Sequence, residues 1–436
     1  MVSSLGDNSD TQPDGPKKKA DPIAKSLDLQ PLPYLVAIRD YLQTEEKNLW
    51  DWFSKTKTQD EHAEAVRFDL LKTTYRIDDE SDPELYQQAR HVAKQLKLDV
   101  PITLYQAHNP IGLNASICAM VNEAHIIFSG PITEKLSSVE LDALIAHELG
   151  HLMLWRNWDN EFLTTELLLA ALTNDARAQP AHFETARLFR LHTEIFCDRT
   201  SLSVIEDPLD AILMLVKITT DVKNVNATSY LKQAKEIAAK GELGSDGVTH
   251  PETFIRALAI DSWASADSPE SCKETDKQIH QMIRGNLDLN PDLLGQQELS
   301  EITRQIIDRM LAHDWMQTDL TLAHAMAYFN EYKPPAAPQT AAENSLADTI
   351  SSGDENLQKY IAYIILDFVA ADRDLEHAPI ALALKLCKEI GIKKLFCDIA
   401  RKELRLRKKQ VDLIDSTSDE LIQAAHSKRK ENQSNG

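Results

Sequence analysis

The chain has 436 residues, 43% hydrophobic and 26% charged; it is long enough for two or three domains and has the composition of a soluble globular protein. A net charge of −21 argues against a nucleic-acid binder that relies on its overall field, because that field repels phosphate. Five cysteines without a CxxC pair argue against a disulfide framework or a cysteine-type zinc site and favour a reducing, cytoplasmic setting.

Residues 1–30 are polar and rich in Gly, Pro, Ser and Asp, which predicts a disordered arm. The arm has no apolar segment of signal-peptide type, and Lys17, Lys18 and Lys19 read as part of a solvated tail. From 31 to 100 apolar residues recur at helical spacing, as in PELYQQARHVAKQLKL. The period then changes. ITLYQ (102–106), ASICAMV (115–121) and HIIFSG (125–130) are short, β-branched and separated by turn-like residues, so they read as strands. Beyond 137 the helical pattern returns and continues to residue 330 or so. Its most apolar short run, LLLAAL at 167–172, falls far short of the ~20 residues of a membrane span. EYKPPAAPQTAAENS (331–345) reads as a linker, 346–410 as a compact helical segment and 411–436 as a frayed polar tail. The expected fold class is mainly α with a small β-sheet, an α+β arrangement.

Within the helical pattern, residues 137–155 read SSVELDALIAHELGHLMLW. Ser137 with Glu140 three residues on forms a capping box. Leu141, Ile145, Leu149 and Leu152 form an apolar stripe suited to a core. His147 and His151 lie one turn apart, about 40° around the axis, on the side expected to face away from that stripe. Both imidazoles can reach one ion, with Glu148 beside it to take a proton from water. Gly150 is a poor helix former and predicts close approach by a neighbouring segment. A catalytic zinc takes three protein ligands, and Glu161, Glu166, Glu184 and Glu194 all follow the motif. Glu194 stands out because Asp198 lies one turn later in ARLFRLHTEIFCDRTSL. One of these carboxylates can bind a metal while the other orients a ligand imidazole. His192, two residues from Glu194, points away from it, and His125 reads as structural.

HELGH, then EIFCDR, then HPETFIR at 250–256 resembles the M48 metallopeptidase family, whose members carry HExxH, ExxxD and HPxxxxR in that order. An upstream Asn-Ala pair on a strand, here Asn114 and Ala115, belongs to the same resemblance. The resemblance implies a gluzincin-type peptidase core at 101–270 with one Zn²⁺ per chain, held by His147, His151 and Glu194. It implies Glu148 as general base to a zinc-activated water and Asp198 as the residue that orients a ligand histidine. It also implies that His250 stabilises the tetrahedral oxyanion and that Arg256 holds the His250 loop or contacts the oxyanion region. The substrate would be a protein or peptide added as a strand alongside Asn114–Met120. VNEAH replaces the family's Gly-rich turn, and the lack of spanning helices resembles the soluble branch.

Residues 271–330 form a helical extension. LQKYIAYIILDFVAADRDLEHAPIALALKLCKEIGI (357–392) resembles a TerB-like helical domain. Arg373 replaces that domain's usual Gly, beside Asp372, Asp374 and Glu376, the acids to which an ion-binding role would fall. This module offers a surface for a protein partner, and the basic stretch at 393–410 reads as a solvated helix face. The alternative to an enzyme is a zinc-binding scaffold with little turnover; the intact Glu148 favours the enzyme.

Overall fold

The computed structural model of the protein describes residues 29–108, 112–241, 244–335 and 343–434. Lys17, Lys18 and Lys19, and the centre of the 331–345 segment, lie outside the described residues. Helices dominate, and one four-stranded mixed sheet has the order β1-β2-β4-β3. Its strands are β1 (Thr74–Arg76), β2 (Ile102–Ala107), β3 (Asn114–Ile117) and β4 (Ala124–Ser129). β2 and β4 run parallel, while β1 and β3 flank them antiparallel. β4 is therefore central, and β3 has a free edge. The strand expected at 115–121 stops at Ile117, because the Met120 amide donates to the Cys118 carbonyl (2.8 Å) and turns the chain. β1, only three residues long, has no apolar alternation that would reveal it.

Against this sheet lies the motif helix, Ser138–Arg156. Its capping box forms as the sequence predicts: Ser137 N–H donates to Glu140 Oε2 (2.7 Å), and Glu140 N–H donates to Ser137 Oγ (3.3 Å). Lys217 neutralises the same Glu140 carboxylate at 2.6 Å. The expected division into an apolar stripe and a polar face does not hold. His147 is 5% exposed and Glu148 4%, because the helices Glu161–Asn174, Pro180–Leu202 and Pro208–Thr220 all pack around the motif helix. Gly150 explains how the second of these, the carboxylate helix, comes so near. A Cβ on Gly150 would lie 3.0 Å from Cys197 Cα and 3.1 Å from Thr200 Cβ.

Two cores organise the chain. The first joins residues from Leu32 to Leu293 around the sheet and the motif helix. The second joins Ile302, Ile306 and Trp315 to Ile361, Phe368 and Phe396. One helix, Leu293–Leu311, enters the first core at Leu293 and the second from Ile302 onward. The 331–345 segment is thus not the border between cores, since helices on both sides of it bury their apolar faces together. Nor is 411–436 frayed over its described part. Helices Lys408–Ser416 and Ser418–Ser434 occupy it, and the latter packs on Ala378–Glu389. Val411, Ile414 and Ile422 supply a thin apolar stripe that the polar average of the segment conceals. Among the described residues no helix is long and apolar enough to cross a membrane.

Candidate metal and catalytic site

The motif helix and the carboxylate helix cross where Gly150 permits, and the crossing brings three expected residues together. Glu194 Oε2 lies 3.3 Å from His147 Nε2, and Glu194 Oε1 lies 3.5 Å from His151 Nε2. The other glutamates are committed elsewhere. Glu161 pairs with Arg39 at 3.1 Å and Glu184 with Arg187 at 2.7 Å, while Glu166 accepts the Trp155 indole N–H at 2.6 Å.

Asp198, one turn after Glu194, has its Oδ1 3.0 Å from His147 Nδ1. Arg256, on the helix Thr253–Ala264, donates Nε–H to Asp198 Oδ2 (2.8 Å) and Nη2–H to Oδ1 (2.6 Å). Its guanidinium lies 3.7 Å from Glu194 Oε2. Arg256 is thus a clamp on Asp198 and a neighbour of Glu194. Thr249 Oγ1 contacts His250 Nδ1 (2.9 Å). His250 is half exposed and presents Nε2 3.3 Å from Glu194 Oε2.

The electrostatics follow from burial of several charges in one place. Burial alone would lower the His147 pKa, but hydrogen bonds to Asp198 and Glu194 and their charges raise it to about 10. His151 has no comparable partner, and burial lowers it to about 4. Burial would raise Glu194, yet His147, His151 and Arg256 hold it well below the usual carboxylate range. Glu148 is raised to about 7, chiefly by burial, with His147 pulling it down and Glu194 pushing it up.

These residues fit a divalent metal. Glu194 Oε2 is buried and meets no donor in full hydrogen-bond geometry, although His147 Nε2 and His250 Nε2 lie 3.3 Å and the Arg256 guanidinium 3.7 Å from it; that is a costly state for a carboxylate oxygen. In the neutral His147 imidazole, with Nδ1–H donating to Asp198, Nε2 presents a lone pair to that same oxygen. A cation between two such acceptors satisfies both. His147, His151 and Cys197 also form a group whose ligand atoms lie within 4.8 Å of one another. The sequence reading missed Cys197, which lies between Glu194 and Asp198 in contact distance of Gly150. Burial, then the charges of Glu194, Glu148 and Asp198, push its thiol well above the ordinary range and disfavour the thiolate that metals bind.

All this borders a cavity of about 480 Å³. Asn114, Ala115 and Ile117 of β3 form one wall, and His147, Glu148, His151, Glu194 and His250 form another. Trp155, Glu166, Leu169, Phe189 and Arg190 also line it, a grouping that no local pattern in the sequence reveals. His192 and His125 lie elsewhere. His192 Nδ1 contacts the Leu188 carbonyl (2.7 Å) and its Nε2 contacts His280 (3.0 Å). His125 Nδ1 meets the Tyr105 hydroxyl (2.9 Å).

The chain is similar to a protein of Arabidopsis thaliana, plastoglobule-localized metallopeptidase 48, chloroplastic. Identity is 27% over 189 residues, covering 39% of this chain and 54% of that protein. The match therefore spans about half the length of that relative. No family model and no solved structure matches the chain.

Proposed function

We propose that the chain is a zinc-dependent metalloendopeptidase of the M48 kind, from its soluble branch, acting on proteins or peptides. The observation that carries this reading is the buried Glu194 carboxylate, 3.3 Å from His147 Nε2 and 3.5 Å from His151 Nε2, with Glu148 bordering the same cavity. The name of the Arabidopsis relative agrees with it.

His147, His151 and Glu194 would hold one Zn²⁺, a nitrogen and carboxylate set that this metal takes. When bound, zinc supplies Lewis acidity and lowers the pKa of water beside it to ~7. Asp198 fixes the His147 tautomer by accepting Nδ1–H, and Arg256 holds Asp198 in place with two hydrogen bonds. Glu148 takes a proton from the attacking water and returns one to the leaving amine; a buried carboxyl raised to about 7 suits a group with both tasks at neutral pH. His250, half exposed beside Glu194, donates to the oxyanion. β3 lends its free edge to an extended substrate, with the backbone at Asn114 and Ala115 pairing as one more strand.

The region beyond the first core is proposed to be a TerB-like helical module that serves partner choice. Five unpaired cysteines favour a reducing, cytoplasmic setting.

Metal analysis of the purified full chain by mass spectrometry, alongside cleavage of a peptide library, tests the proposal. We expect about one zinc per chain, lost in both His147→Ala and His151→Ala together with cleavage. Full metal retention in both variants, or a zinc-loaded chain that cleaves nothing, overturns it.

A further inference from the structure

The cavity continues past the histidines into a pocket that the reaction itself does not require. Trp155, one turn after His151, places its ring 5.7 Å from the His151 imidazole. Its indole N–H donates to Glu166 Oε2 at 2.6 Å. Glu166 thus lies two contacts from a proposed metal ligand and borders the same cavity as β3. Among the described residues its second oxygen, Oε1, has no donor, and no lysine or arginine forms an ion pair with its carboxylate. Burial raises the Glu166 pKa, and the Trp155 hydrogen bond and the Arg190 charge offset only part of that; the Arg190 side chain itself is exposed and donates to the Val248 carbonyl (3.2 Å).

Leu169 and Phe189 line the same cavity as the histidines and Glu166, together with the polar side chains of Thr173, Asn174 and Thr193. A cavity that presents apolar side chains and a carboxylate with one oxygen uncommitted fits a particular shape of guest. It accepts a side chain with a hydrocarbon stem and a cationic end. A carboxylate in such a place repels an acidic guest and leaves its own oxygen unmet by a neutral one. The Trp155 ring adds a π face for a cation.

Resting on the peptidase reading, we propose that Glu166 is a specificity residue: with Trp155, Leu169 and Phe189 it forms a subsite for a lysine or arginine side chain of the substrate. The stem lies along Leu169 and Phe189, and the cation donates to Glu166 Oε1. Glu166 touches no reacting atom; its effect is on which peptide is held, not on proton transfer.

The test uses the zinc-loaded full chain and matched peptides. Each peptide carries lysine, arginine, norleucine or glutamate at one position flanking the scissile bond. At one such position the basic peptides should exceed norleucine in kcat/KM by about 10–100-fold, the factor a charged hydrogen bond supplies. Glu166→Gln keeps an oxygen for the indole and the shape of the side chain, and should bring that ratio to about one. Its melting curve and zinc content show whether it is folded. No basic preference at any position, a preference for glutamate, or an unchanged ratio in Glu166→Gln overturns the subsite. A binding measurement separates this failure from that of the peptidase reading. Fluorescence polarisation with labelled lysine and norleucine peptides compares Glu148→Gln with Glu148→Gln/Glu166→Gln. Loss of the lysine preference in the double variant supports the subsite even if the wild type cleaves nothing, and equal preference in both overturns it.

Discussion

The two cores of this chain treat charge differently. The first buries His147, Glu148, Glu194, Asp198 and Arg256 in one connected group. In the second, among the described residues from 296 on, Asp372 is the buried acid or base, and its Oδ1 accepts the Asp374 backbone N–H at 3.0 Å. Elsewhere that core is built of apolar side chains, chiefly Ile, Leu and Ala with Phe368, Phe396 and Trp315. Burying an ion costs several kcal/mol that pairing only offsets when the geometry is good, so a core that gathers five ionisable side chains is organised for more than stability. The second core follows the ordinary rule of apolar packing. The lesson is that burial alone does not separate scaffold from site; the chemistry of what is buried does.

The contrast can be broken most severely by cutting the chain after residue 335. The cut removes Ile361, Phe368 and Phe396 and uncovers Ile302, Ile306 and Trp315, which pack with them. The truncated protein should aggregate or lose its cooperative melting transition, as sedimentation and calorimetry will show. A soluble, zinc-bound 1–335 fragment would mean that the first core and its site do not need the second.

Glu148→Gln probes chemistry without touching either core's packing. Turnover should fall by about 10²–10⁴-fold, the usual general acid–base contribution, while zinc content and melting temperature stay near wild type. Cleavage at the wild-type rate would remove Glu148 as the base.

Matched variants then sharpen the comparison. Phe368→Ala, in the second core and fully buried, should cost about 3–5 kcal/mol by leaving a cavity, with zinc affinity unchanged. Arg256→Met should cost a similar ~3–5 kcal/mol by stranding Asp198, but with weaker zinc binding as well. Denaturant melts and metal titration read both. Equal metal affinity in the two variants would dissolve the distinction between the cores.

Asp198→Asn gives the smallest effect, a loss of about 10–100-fold in zinc affinity, typical of residues that orient a ligand. It also alters the acid response. Burial would raise the Asp198 pKa, but Arg256 and His147 outweigh it and hold it below the ordinary value. Its stabilisation is therefore complete above roughly pH 4, the unfolded value, and is lost as pH falls through the lowered folded value. The variant should show a flatter acid limb of stability against pH; an identical limb would contradict the pairing.

By itself, the sequence determined what lies within one or two turns of helix. The His147–His151 spacing, the Ser137–Glu140 box, the Glu194–Asp198 pair and the need for Gly150 all follow from the 3.6-residue period and from the size of a side chain. β2 and β4 follow from short β-branched runs bounded by turn-like residues. Only the tertiary structure showed which of Glu161, Glu166, Glu184 and Glu194 comes within 3.5 Å of both motif histidines, because that depends on which helix crosses the motif helix at Gly150. It also turned Arg256 towards Asp198, 58 residues away, joined Trp155 to Glu166, and buried the polar segment after 410 on a helix begun at Ala378. Local periodicity fixes which face a residue shares with its near neighbours. It carries no information about which distant face arrives opposite, and the unpaired charges of a site are settled there.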